Sequence, residues 1–303
     1  MNSIFEIFKI GIGPSSSHTV GPMKAAKIFR DKIIDISYIQ SLSSIDIILY
    51  GSLASLGAGM MTTVGAIPCL FIKKISPKFE DTTLGFAAGV MLGASFFSLI
   101  VPGLDYADEL WQSKYFSVLA VLGGLLAGVL GIWSIEKYSP HEHFVIKEHY
   151  DGGHKEKILK IWLFIIAITI HNMPEGLAVG VGFGGGDLGK AIALAIGIGI
   201  QNAPEGLAVA FALLTIGYSR MNAFLIAGAT GLFEPVMGFI GVSIVTVFLP
   251  ILPIALGFAA GAMLFVISHE IIPETHRRGH ENWATGGFTF GLLTMLSLDI
   301  LLG

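Results

Sequence analysis

Residues 171–180 read HNMPEGLAVG and residues 201–210 read QNAPEGLAVA. The offset of 30 positions aligns Asn172 with Asn202, Pro174 with Pro204 and Glu175 with Glu205. Each decapeptide lies inside an apolar run close to the ~20 residues that cross a bilayer as a helix. His171 and Glu175 are four residues apart, as are Gln201 and Glu205, so each pair shares one helix face. Pro174 and Pro204 offer no N–H to the carbonyls of Ile170 and Ile200, which permits a kink beside that polar face. Gly176 and Gly206 then permit close helix contact.

Outward from this repeat, apolar runs at 47–72, 84–104, 115–135, 161–186, 191–217, 221–249, 251–273 and 284–302 predict eight spanning helices. The runs are continuous rather than alternating, which selects helices over a barrel. Composition agrees. Of 303 residues 53% are hydrophobic and 13% charged, about half the ~25% charge of a soluble domain. The expected fold is an all-α membrane protein. A net charge of −4 without a basic block excludes nucleic acid as a partner. The single Cys69 excludes an internal disulfide, a thiolate zinc site and a self-contained iron–sulfur cluster. The first 20 residues lack the pattern of a secretory signal.

Orientation follows from the cations in the connections. Eleven Lys and Arg lie in the 1–2, 3–4, 5–6 and 7–8 links and two, Lys114 and Lys190, in the others. The first set is therefore expected in the cytoplasm and both termini outside it. Residues 1–46 disagree, with Lys9, Lys24, Lys27, Arg30 and Lys32 on the outer side.

Glu175, Glu205 and Glu234 fall near the middle of spans four, five and six. A charge at that depth costs at least ~2.5–3.5 kcal/mol, so those present usually face a bundle interior and carry function. An imidazole, several amides and three carboxylates in a charge-poor bundle suit a divalent cation. Oxygen and nitrogen donors without thiolate favour Zn, Fe(II), Mn or Co over Cu(I). Two bridging glutamates can hold a pair of ions. An intramembrane metalloprotease is a weaker reading, because HExxH is absent and no nucleophile stands beside the pairs.

From about residue 52 to the C-terminus the chain resembles the ZIP (zinc-regulated, iron-regulated transporter-like) metal transporters, bacterial members above all. The resemblance rests on HNMPEG at 171–176, QNAPEG at 201–206, Glu234-Pro235 and HEIIPETH at 269–276. It implies an eight-helix bundle with a binuclear metal site between helices four, five and six. Met91, His171, Glu175, Gln201 and Glu205 would make the first site. Asn172, Glu175, Asn202, Glu205 and Glu234 would make its neighbour, with the two glutamates of the repeat as bridges. Asn202 departs from the aspartate common in bacterial relatives, which weakens the second site. The resemblance also implies both termini outside and alternating access of an elevator type. Homodimerisation is compatible with it.

Positions at the span ends nominate a pathway. Ser98, Asp105 and Asp299 mark the outer side, and His269, Glu270, Glu274, His276 and His280 the cytoplasmic side. The 136–157 link carries His141, His143, His149 and His154, imidazoles suited to loose metal capture.

The first fifty residues resemble something else. IFEIFKIGIGPSSSHTVGPMKAAKIF and IDIILYGSLA at 45–54 are similar to the start of bacterial iron–sulfur L-serine dehydratases. That activity needs several cysteines and a larger second domain. The chain accordingly reads as a non-functional dehydratase-like segment at 1–46 and a transporter domain at 47–303, with an L-serine ammonia-lyase fragment or fusion as the rival. The expectation is a non-enzymatic, multi-pass transporter of the cytoplasmic membrane that takes up zinc, with Fe2+, Mn2+, Co2+ and Cd2+ as further substrates.

Overall fold

The computed structural model describes residues 43–72, 74–138, 154–277 and 279–302. Residues 1–42 and His141, His143 and His149 of the histidine-rich link lie outside them. Among the described residues there is no strand. Eight helices are long and apolar enough to cross a membrane: α1 (Ser44–Leu70), α2 (Pro77–Trp111), α3 (Lys114–Lys137), α4 (Phe164–Gly184), α5 (Leu188–Thr215), α6 (Arg220–Val247), α7 (Leu249–Thr275) and α8 (Glu281–Leu302). The number and order of spans match the sequence reading.

Local chemistry sets the ends. Ser43 and Asp46 form a reciprocal capping box at the start of α1. Asp187 caps α5 by accepting from the Lys190 N–H at 3.1 Å, and Ser219 caps α6 through the Asn222 N–H. Pro174 and Pro204 lie inside helices that run on past them.

Three spans differ from the sequence reading. The fourth belongs to a helix that starts at His154, inside the link expected over 136–157. The second, expected over 84–104, begins at Pro77 and ends at Trp111. Its charged first turns open on Pro77, a residue suited to a helix start, and Asp81 within them is buried and bonded to His280 at 2.8 Å. The sixth is not one helix: it stops at Thr230, turns at Gly231 and Leu232, and restarts at Phe233. Glu234, itself buried, thereby stands in the first turn of a half-helix, where unpaired N–H groups favour an acidic side chain.

Pairing follows small residues, as expected where lipid supplies no hydrophobic drive between helices. The closest partnerships are α2 with α8, α3 with α7, α4 with α6 and α1 with α5. Exchanging α1, α2, α3 and α4 for α6, α7, α8 and α5 maps each partnership onto another, the signature of an internal repeat. Detail supports it. Both α2 and α7 contain a π-helical turn, Ala94–Ile100 and Ile267–Ile271, and in each a proline follows two residues later, Pro102 and Pro273. The wider turn accommodates a ring that would otherwise meet a carbonyl of the preceding turn.

The best-packed helices are α2, α4, α5 and α7, whereas α3 and α8 are the least buried. The latter two display Phe116, Leu122, Leu126, Trp283, Phe290 and Leu293 outward, a surface suited to hydrocarbon.

Candidate metal centre

His171, Asn172, Glu175, Gln201, Asn202, Glu205 and Glu234 are all buried, none more than 3% exposed. Three helices supply them, and close backbone approach brings those helices together. A Cβ on Gly176 would overlap the Glu234 carbonyl, and one on Gly206 would overlap the Thr62 carbonyl. The glycine after each glutamate of the repeat thus lets α6 and α1 touch α4 and α5 beside the carboxylates.

The side chains bond across helices. The Gln201 amide donates to Glu175 Oε1 at 2.6 Å. Asn202 Nδ2 donates to Glu234 Oε1 at 2.7 Å and to the Ala58 carbonyl at 2.9 Å. Ser55 donates to the Glu234 carbonyl at 2.7 Å. His171 turns toward α7, its Nε2 3.0 Å from Glu270 Oε1.

What remains is a surplus of acceptors. Among the described residues Glu175 Oε2, both oxygens of Glu205, Glu234 Oε2, Gln201 Oε1, Asn202 Oδ1, Asn172 Oδ1 and His171 Nδ1 find no hydrogen-bond partner, nor does the donor Asn172 Nδ2. Buried acceptors at this density are costly unless something positive meets them. The donor set suits a hard-to-borderline divalent cation. Among the described residues no three His, Cys, Asp or Glu side chains are drawn in around one metal-sized point; Glu175, Glu234 and His171 are bonded instead to Gln201, Asn202 and Glu270. Met91 is buried on α2 within the apolar core.

The residues expected on the outer side divide. Ser98 donates to Asp299 at 3.2 Å, joining α2 to α8, whereas Asp105 is exposed. At the opposite end His269 Nε2 lies 3.0 Å from Glu136 Oε1 on α3. Glu274 pairs with Arg277 at 3.3 Å. His276 Nδ1 lies 2.9 Å from the Ile272 carbonyl, and His280 is held by Asp81.

Sequence reasoning missed several participants. Ser55 and Thr62 of α1 are buried polar residues at the centre. Asp81 and Glu136 hold the histidines of α7 and the 7–8 link. Tyr106, Asp187 and Lys190 line a cleft with Ser98. Only the charges of Asp81 and Glu136 at span edges offered a signal.

Comparison with known proteins follows the two resemblances. Residues 135–299 match the family profile described as ZIP Zinc transporter. Residues 3–76 match the one described as Serine dehydratase beta chain, a stretch that passes residue 46 and runs through α1. The chain is 44% identical over 254 residues to zinc transporter ZIPB of Bordetella bronchiseptica, covering 84% of this chain and 82% of that one. It is 41% identical over 253 residues to zinc transporter GufA of Myxococcus xanthus, covering 84% and 99%. With zinc transporter ZIP11 of Xenopus tropicalis the identity is 33% over 330 residues, covering 84% and 97%.

Proposed function

This chain belongs to the ZIP zinc transporter family and is a multi-pass membrane protein, and from that premise we propose that it carries zinc into the cytoplasm through a two-ion centre on α4, α5 and α6. The observation that carries the proposal is the set of buried oxygen and nitrogen atoms on those helices that find no hydrogen-bond partner among the described residues. A hydrated divalent ion entering the bundle would exchange its water for these oxygens and for the imidazole of His171. The three glutamates supply the compensating charge.

In this reading Met91, His171, Glu175, Gln201 and Glu205 hold the first ion. Asn172 and Asn202 with Glu175, Glu205 and Glu234 hold the second. To take up zinc, His171 leaves Glu270, and the amides of Gln201 and Asn202 turn their oxygens toward the cargo. Ser98, Asp105 and Asp299 serve the approach. His269, Glu270, Glu274, His276 and His280 serve release, and His141, His143, His149 and His154 capture metal in the 136–157 link. Movement of the metal-bearing helices against the α2, α3, α7 and α8 bundle supplies alternating access. The membrane is the cytoplasmic one, both termini face away from the cytoplasm, Fe2+, Mn2+, Co2+ and Cd2+ are further cargoes, and two copies form a homodimer. Residues 1–46 add no dehydratase chemistry, since a chain with one cysteine cannot bind the cluster by itself.

The test is uptake of radioactive zinc by proteoliposomes containing the full chain. Accumulation that requires Glu205 supports the proposal. Pyruvate formation from serine without zinc accumulation would overturn it in favour of the dehydratase reading.

A further inference from the structure

A cleft opens at the end of the molecule where α2, α4, α5 and α7 meet, lined by Ser98, Pro102, Tyr106, Gly185, Asp187 and Lys190 among others. Charges of both signs meet at it. Asp187 and Lys190 line it directly, Asp299 is tied to its Ser98 at 3.2 Å, and Asp105 and Glu109 lie close enough to act on Tyr106. Lys190 is the cation set among these groups. Its Nζ lies 4.0 Å from Asp187 Oδ2, and its charge also reaches Asp299.

That position is built rather than incidental. Asp187 is the N-cap of α5 and is fixed by the Lys190 backbone N–H, so the carboxylate and the ammonium leave the same turn. Gly189 stands so close to the Leu302 carbonyl that a Cβ there would overlap it. The end of α8, with Asp299, is thereby held against the start of α5. Lys190 has 31% of its side chain exposed, so water and ions reach it.

Carboxylates gathered around the mouth of a cleft concentrate divalent cations from solution. A tethered ammonium among them does the reverse, because it already satisfies part of the charge an entering ion would satisfy. We propose that Lys190 is an internal competitor for the cargo: its ammonium offsets the Asp187 and Asp299 carboxylates at the mouth, and zinc enters by displacing it. Lys190 then sets the zinc concentration at which transport half-saturates. This rests on the reading of the chain as a metal transporter with this cleft as its entrance.

The experiment measures initial rates of zinc uptake against free zinc in proteoliposomes, at low and high ionic strength, for the unsubstituted protein, Lys190→Gln and Lys190→Arg. Lys190→Gln is expected to lower KM by about threefold or more at low salt, with a smaller effect at high salt, and to change kcat less than KM. Lys190→Arg restores the higher KM. In an Asp299→Asn background the effect of Lys190→Gln on KM shrinks. A KM unchanged or raised in Lys190→Gln overturns the inference. So does a fall that persists undiminished with Asp299→Asn, since the lysine would then act only as a distant charge. Failure of the unsubstituted protein to transport zinc overturns the transport reading itself, a result distinguishable from either of these.

Discussion

Gln201 and Glu175 meet at 2.6 Å although 26 residues separate them. Gln201 occupies in the second repeat the position that His171 occupies in the first, and Glu175 is the glutamate of the first. The repeat thus does more than duplicate a helix face: it sets the leading polar residue of α5 against the carboxylate of α4.

Glu205 gives the sharpest prediction, because neither of its carboxylate oxygens has a hydrogen-bond partner among the described residues. Glu205→Ala should abolish zinc uptake and zinc binding. Glu205→Gln should abolish uptake while raising the stability of the metal-free protein by about 1–2 kcal/mol, since it removes a buried charge without altering shape. Thermal unfolding in detergent with chelator, beside uptake in vesicles, checks both halves. Unimpaired uptake in either variant would show that the centre lies elsewhere.

Asn202→Asp tests the second ion. The substitution adds a negative charge beside Glu234 and removes the Nδ2 donor that now holds Glu234 Oε1 at 2.7 Å. Two carboxylates facing each other in a dry interior repel, and a divalent ion relieves that repulsion. The variant should be less stable without metal, and the second zinc should bind at least ~10-fold more tightly, as read by equilibrium dialysis across a zinc series. Unchanged stoichiometry and affinity would remove Asn202 from the second site.

Gly206 tests the backbone approach that assembles the centre. A Cβ at this position overlaps the Thr62 carbonyl, and main chain cannot rotate aside as a side-chain tip can. Gly206→Ala should cost about 1–3 kcal/mol, and Gly206→Val more, seen as a falling monodisperse fraction in size-exclusion chromatography. Gly123, with open space around it, should accept alanine without loss.

His280 bears on the far end of the bundle. Its Nδ1 lies 2.8 Å from Asp81 Oδ2, and the Asp81 side chain is 1% exposed. His280→Ala withdraws a partner from a buried carboxylate and should destabilise the protein by roughly 1–3 kcal/mol. Asp81→Asn combined with His280→Ala should recover part of that loss, because no charge is then left behind. Thermal unfolding of the single and double variants decides this.

The sequence was most readable where one physical rule acted alone. Span number and order depended only on the ~30 Å of hydrocarbon to be crossed, and all eight spans appear in the structure. Glu175, Glu205 and Glu234 were legible because a carboxylate in a long apolar run has few explanations. Ser55 and Thr62 escaped notice because hydroxyls are unremarkable in apolar helices. The break in α6 escaped because Gly231 is one of 39 glycines, and nothing local separates a glycine that ends a helix from one that packs a neighbour.

By itself, then, the sequence determined that this chain is an eight-span helical bundle with a repeated polar face on its fourth and fifth spans, because apolar length and helical periodicity are local properties. Tertiary structure alone decided which donors are already spoken for and which are not. Gln201 bonds Glu175, Asn202 bonds Glu234, His171 turns to Glu270 and Glu205 has no hydrogen-bond partner among the described residues. Those choices depend on how closely helices distant in sequence approach, and glycine contacts such as Gly206 on Thr62 set that distance one pair at a time.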